Sequence, residues 1–135
     1  MANFRLEIVT PTGKIYSKDI EFVLVRTTEG NMGILPNHSP FVAALDVGEM
    51  MVREEKGKEI SYYVSEGFLE ISNNKVIILA DEAMLSTEID IEAARKAAAL
   101  AEEKLKKLSE DKNILMTQKA LHEALVKVNI AEKLL

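Results

Sequence analysis

The chain has no cysteine and no tryptophan. Without thiols, disulfide scaffolds, thiol nucleophiles, zinc knuckles and iron–sulfur ligation are all excluded. Two histidines, three tyrosines and four phenylalanines leave little material for a metal cage or a base-stacking platform. Positive charge is outweighed, 17 Lys and Arg against 22 Asp and Glu for a net −5, which argues against a nucleic-acid surface. Long hydrophobic runs are missing too: the longest aliphatic stretch, Val76 to Ala80, falls far short of the ~20 residues of a membrane span. The opening Met1-Ala2-Asn3-Phe4-Arg5-Leu6-Glu7 alternates from its fourth position and includes a glutamate, unlike a signal or transit peptide. The expectation is a soluble, cytosolic-side chain that is free to dock onto a membrane complex.

With 135 residues, 47% of them hydrophobic, the chain can bury one core and add an appendage. Its hydrophobic period changes once, near residue 88. Before that point the period is two: Phe4, Leu6 and Ile8 alternate with Arg5, Glu7 and Val9, and Ile20, Phe22 and Leu24 alternate with Glu21 and Val23. Further short strands are expected at Met50–Arg53, Ile60–Val64, Phe68–Ile71 and Val76–Leu79. Turn signals separate them at Pro11-Thr12-Gly13, Lys56-Gly57 and Asn73-Asn74. Many short strands at this spacing predict a β-sandwich or flattened barrel.

Residues 91–135 contain no glycine and no proline and are rich in alanine, which are helical conditions. Asp90 suits an N-cap. One apolar seam runs through Ile91, Ala94, Ala98, Ala101, Leu105 and Leu108, and a second through Ile114, Thr117, Leu121, Ala124, Val128, Ala131 and Leu135. Ser109-Glu110-Asp111 between them supplies polar turn residues, so the pattern predicts an antiparallel helical hairpin. An alanine seam buries few methylenes, each worth only about 0.8 kcal/mol, so the hairpin is expected to be weakly held. A turn without glycine leaves the two helices free to straighten into one. Charge divides at the same boundary: residues 1–90 hold 8 basic against 15 acidic side chains, and residues 91–135 hold 9 against 7. The basic balance of the helices, with Lys104, Lys107, Lys119 and Lys127, suits an acidic partner, although a solvated helix face accounts for Lys104, Lys106 and Lys107 as well.

Catalytic motifs find no support. His38 and His122 lie in different segments without a carboxylate at ligand spacing. Asn37 and Pro40 flank His38-Ser39 where a nucleophile elbow needs glycines. Thr12-Gly13-Lys14 lacks the upstream glycine of a phosphate loop. Asn37-His38-Ser39 matches a glycosylation acceptor only formally, because no secretory signal leads to it. The distinctive segment is the expected loop Glu29-Gly30-Asn31-Met32-Gly33-Ile34-Leu35-Pro36-Asn37-His38-Ser39-Pro40, where two glycines free the backbone and two prolines stiffen it. Met32, Ile34 and Leu35 form an apolar strip that fits a partner surface as well as it fits self-packing.

That segment resembles the signature E-G-x-x-G-I-x-P-x-H-x-P of the epsilon subunit of bacterial F-type ATP synthases, the counterpart of the mitochondrial delta subunit. Thr10-Pro11-x-Gly13, Gly67-Phe68-Leu69-Glu70, Leu79-Ala80-Asp81 and Ile89-Asp90 add matches in the same order over nearly the whole chain. The resemblance implies an α+β architecture: a ten-stranded β-sandwich over residues 1–88, anchored in the rotor, and a mobile regulatory helical hairpin over 89–135. It implies a non-catalytic central-stalk subunit of a proton- or sodium-translocating enzyme, peripheral on the cytoplasmic face of the bacterial inner membrane. The sandwich would sit between the gamma subunit and the c-ring, with Asn31 and its neighbours toward the c-ring and His38 toward gamma. The hairpin would extend against the alpha and beta subunits to block ATP hydrolysis; the alternatives are an assembly subunit without inhibition, a generic helical interaction module, or a small cupin-like sandwich enzyme. Some relatives bind ATP through an I/L-D-x-x-R-A string. Here Asp90 is followed by Ala93, Arg95 comes two positions late, and Glu123 and Lys127 stand where arginines are expected. The expectation is no cofactor and weak or absent ATP binding. Glu66 departs from the family's glycine and is expected to alter a tight turn or a contact.

Overall fold

Alternation in the first half of the chain builds strands because each apolar row has a facing row to bury against. The computed structural model describes residues 2–107 and 111–135. These divide into two compact units, Met1–Leu85 and Ser86–Leu135. The first holds nine strands: β1 Phe4–Thr10, β2 Gly13–Thr27, β3 Gly30–Ile34, β4 Phe41–Leu45, β5 Gly48–Glu54, β6 Glu59–Val64, β7 Gly67–Ser72, β8 Lys75–Ala80 and β9 Ala83–Leu85. They follow the order β1-β8-β7-β4-β2-β5-β6-β9, with β3 on β2, and β1 also pairs with β2 so that the sheet closes on itself. All the pairings are antiparallel except β1 with β8. Between the layers lie Leu6, Ile8, Ile20, Val23, Ile34, Val52, Leu69 and Ile78, all fully buried.

The structure corrects the sequence reading at two strands. In β2 the register shifts between Ile20 and Phe22. One extra residue reverses the alternation there. Ile20 points inward as expected, but beyond the shift Val23 and Val25 are the core residues, and Phe22 and Leu24 are only half-buried. Phe22 instead receives the Arg53 guanidinium 5.2 Å from its ring centroid. The second correction concerns the segment 29–40, which is not all loop: Gly30–Ile34 forms β3, paired with Val23–Thr27 of β2. Nine strands stand where the resemblance gives ten; dividing the 15-residue β2 at its register shift restores that count.

Helix α1, Ile91–Leu105, opens where expected: the Asp90 carboxylate accepts the Ala93 N–H at 3.0 Å. Helix α2 spans Asp111–Glu132. Leu108, Ser109 and Glu110, which complete the first seam and open the expected turn, lie outside the described residues. The two helices pack together as a hairpin whose buried side chains among the described residues are Ala94, Ala98, Ala101, Ala124, Ile130 and Ala131. Ile130 falls outside the seam read from the sequence. Leu135, placed in that seam, follows the end of α2 and is 88% exposed, its N–H held by the Glu132 carbonyl in a tighter closing turn that departs from the α-helical spacing.

A charged network ties β1 to its neighbours. Glu7 Oε2 accepts Lys14 Nζ at 3.0 Å and Ser17 Oγ at 3.2 Å, and Oε1 meets Lys75 Nζ at 3.2 Å. The Lys14 hydrogen bond, followed by that of Lys75, holds the Glu7 carboxyl down from 4.5 to about 2. A depressed carboxylate contributes stability that is fully present above its unfolded pKa and is lost as pH falls through the folded one. The native chain should therefore lose stability between pH 4.5 and about 2. Glu7→Gln should be less stable at pH 7 and converge with the native chain near pH 2. Denaturation midpoints that stay parallel for the two proteins over that range would remove the network from the stability balance.

Candidate partner-binding surfaces

The two ends of β3 separate the residues of the signature. At its start, Thr27 Oγ1 donates to the Gly30 carbonyl at 2.7 Å and accepts the Glu29 N–H at 3.2 Å, which fixes a tight hairpin with Gly30 at φ 122°. Only glycine adopts that angle without strain. The Thr28 N–H donates to the Ala44 carbonyl, and Glu29 and Asn31 stand exposed at this tip. Within β3, Met32 packs half-buried on the core and Ile34 is fully buried. The apolar strip of the sequence reading is thus split: two of its members stabilise the sandwich, and only Leu35, 61% exposed, is offered outward. A Cβ at Gly33 would meet the end of the half-buried Phe22 ring at 3.0 Å, a tight contact that a small shift of the ring relieves.

At the other end, Leu35–Pro40 forms the loop proper. Pro36 is half-buried and Asn37 exposed. His38 is half-buried, its Nδ1 is 2.7 Å from the Ser39 carbonyl, and its ring stands edge-on to Phe41 at 6.3 Å between centroids. Asn31 and His38 are therefore not gathered into one site but occupy opposite ends of β3.

Between these ends the sheet leaves an apolar face that the signature does not reveal. Registers place Val9, Leu79, Phe68 and Ala44 in one row across β1, β8, β7 and β4. Strand parity turns all four away from the core. Phe68 is 60% exposed, Leu79 48% and the neighbouring Val42 67%, so the row is open to a partner. A shallow cleft of about 560 Å³ continues it, lined by Pro11, Thr28, Gly67 and Ala80 and rimmed by Glu66 and Asp81. Glu66 is exposed there and has no positive φ, so its side chain adds charge to the rim without straining the turn. The signal available in the sequence was the outward set Phe68 and Leu79, but only the long-range register joins it to Val9 and Ala44.

The residues proposed for the helices stand apart from these surfaces in sequence. Lys104 and Lys107 are exposed at the end of α1, Lys119 is exposed on α2, and Lys127 is half-buried. Asp90 is engaged as a cap, and Arg95 Nη1 pairs with Glu92 at 3.0 Å. Among the described residues no group of three or more His, Asp or Glu side chains is placed to hold a metal ion, and no helix is long and apolar enough to cross a membrane. Elsewhere, burial and the acceptor Glu54 push the Tyr16 hydroxyl upward, while the 2.6 Å hydrogen bond from Tyr16 holds Glu54 down; this pair braces β2 on β5.

A closed sandwich with broad outer surfaces, followed by an alanine-lined helical hairpin, defines a binding subunit. Residues 3–86 match the family model of the ATP synthase delta/epsilon chain β-sandwich domain, and residues 87–132 match that of its long α-helix domain. The chain is 55% identical over 133 residues to the sodium ion specific ATP synthase epsilon chain of Propionigenium modestum, covering 98% of this chain and 96% of that one. It is 40% identical over 131 residues to the ATP synthase epsilon chain of Bacillus velezensis, covering 97% and 98%. Among solved structures, a chain of the Euglena gracilis mitochondrial ATP synthase superposes with a TM-score of 0.81 at 28% identity, covering 93% of this chain and 79% of that one. The chain belongs to the ATP synthase delta/epsilon family, as a non-catalytic subunit of the rotary enzyme.

Gly67, in the lining of the cleft, is the glycine with the least room for a side chain. A Cβ there would overlap the Leu79 carbonyl oxygen in the adjacent strand. Backbone cannot yield as a flexible side chain does, so Gly67→Ala should cost about 3 kcal/mol or more, read as a lowered urea midpoint. An unchanged midpoint would show that β7 and β8 do not approach so closely.

Proposed function

We propose that the chain is the central-stalk epsilon subunit of a proton- or sodium-translocating ATP synthase, which couples the gamma subunit to the c-ring and restrains ATP hydrolysis through its helices. The observation that carries the coupling role is the outward apolar row Val9, Leu79, Phe68 and Ala44, with Leu79 and Phe68 exposed and Val9 and Ala44 half-buried, on a sheet whose opposite side is a closed core. A rigid platform with an apolar face suits a torque-transmitting contact. We assign this face and the His38 loop to gamma, and the tip with Glu29, Gly30 and Asn31, which borders the face through the Thr28–Ala44 hydrogen bond, to the c-ring. The Propionigenium modestum relative is named sodium ion specific, which makes sodium one of the two ions proposed here. As part of such a complex, the chain would sit peripherally on the cytoplasmic face of the bacterial inner membrane.

The regulatory reading draws on the hairpin. Five of the six buried side chains among its described helical residues are alanines, while Leu100, Leu115, Met116 and Leu125 are exposed. Little apolar area holds the pair shut, and large side chains remain for another surface. The basic balance of residues 91–135 favours capture by an acidic patch on alpha or beta, with Lys104, Lys107, Lys119 and Lys127 speeding the encounter more than fixing affinity.

Titrating the matching alpha–beta–gamma core with the full chain should lower ATP hydrolysis, whereas a version ending at Glu88, which keeps all nine strands, should bind without inhibiting. Binding by both without inhibition would leave coupling and remove the brake; binding by neither would remove both. We further propose that ATP binds this chain weakly or not at all. Calorimetry of the isolated chain with ATP should show no micromolar site.

A further inference from the structure

We propose that Asn74 positions the His38 loop for its partner, a reading that rests on the assignment of that loop to an interface. Asn74 lies far from the loop in sequence, in the turn between β7 and β8, yet its side chain reaches two other segments. Its Oδ1 accepts the Asn37 N–H at 2.7 Å, and its Nδ2 donates to the Asn3 carbonyl at 2.9 Å. Its own carbonyl accepts the Arg5 N–H at 3.2 Å. One residue thus joins the chain start, β1 and the signature loop.

The loop needs such an anchor. Pro36 and Pro40 have no N–H to give, and the His38 Nδ1 contact to Ser39 is local. Asn37 holds φ 63°, a left-handed conformation that asparagine tolerates better than most residues but that its own side chain does not alone select. The Asn74 carboxamide supplies that selection from outside the loop and so sets how Leu35 and His38 on either side are presented.

The turn itself accepts asparagine at this place but favours glycine. Asn73 and Asn74 have φ 52° and 57°, the pattern of a two-residue type I′ hairpin, whose second position is filled best by glycine. Retaining Asn74 forgoes that ease and gains the link to Asn37. The contrast separates positioning from folding: Asn74→Gly suits the turn but cuts the link, and Asn74→Asp keeps an Oδ acceptor for Asn37 while losing the donor to Asn3.

The test uses the full chain. In Asn74→Gly the urea midpoint should hold, the Asn37 amide should exchange about five- to tenfold faster by NMR, and the chain should leave the alpha–beta–gamma core faster by a similar factor. Asn74→Asp should resemble the native chain in both readouts. Unchanged Asn37 exchange in Asn74→Gly, or equal loss in both variants, would overturn the anchoring. Faster exchange with unchanged dissociation would overturn the positioning role differently, by taking the loop out of the interface.

Discussion

The sandwich depends on one strand serving two layers. The first half of β2 pairs with β1, its second half pairs with β3 and β5, and the register shift at Ile20 and Phe22 is where it changes from one to the other. Such a shift costs a ladder position but bends and twists the strand, which is how a sheet turns a corner without ending. Because β1 also lies against β8, this one bend closes the sheet, and closure leaves few open edges to pair with other chains. The core and the outer apolar row are two sides of that closure.

Much of this organisation was legible along the chain, for reasons tied to particular residues. Leu6 and Ile8, Leu69 and Ile71, and Val76 and Ile78 fill the core as their alternation indicated. Asp90 announced the helix start through its own carboxylate chemistry. What stayed hidden depended on distant partners. The parity of Phe22 and Val23 is set by a bulge opposite Arg53, and β3 was masked by its glycines, one of which lies against the Phe22 ring. Phe41–Leu45 shows no clean alternation, because Val42 and Ala44 face outward in an apolar row.

The candidate surfaces followed the same rule. Chemistry written into consecutive residues, such as Glu29 to Pro40, could be read directly. A surface made by register, joining Val9 to Ala44 through Leu79 and Phe68, could not. Gly67 shows both aspects: its identity is visible in the sequence, but its reason is the Leu79 carbonyl on the next strand.

The alanine lining of the hairpin also bears on temperature. Separating two helices whose buried side chains among the described residues are five alanines and Ile130 hydrates less apolar surface than parting a leucine-lined pair, so the heat capacity of separation is smaller. An equilibrium with a small heat-capacity change has a nearly constant enthalpy and a nearly straight temperature dependence. A leucine-lined pair would instead follow a curved stability profile and loosen on both warming and cooling. A helix pair lined mainly by alanine thus has a balance that drifts gradually in one direction as temperature changes.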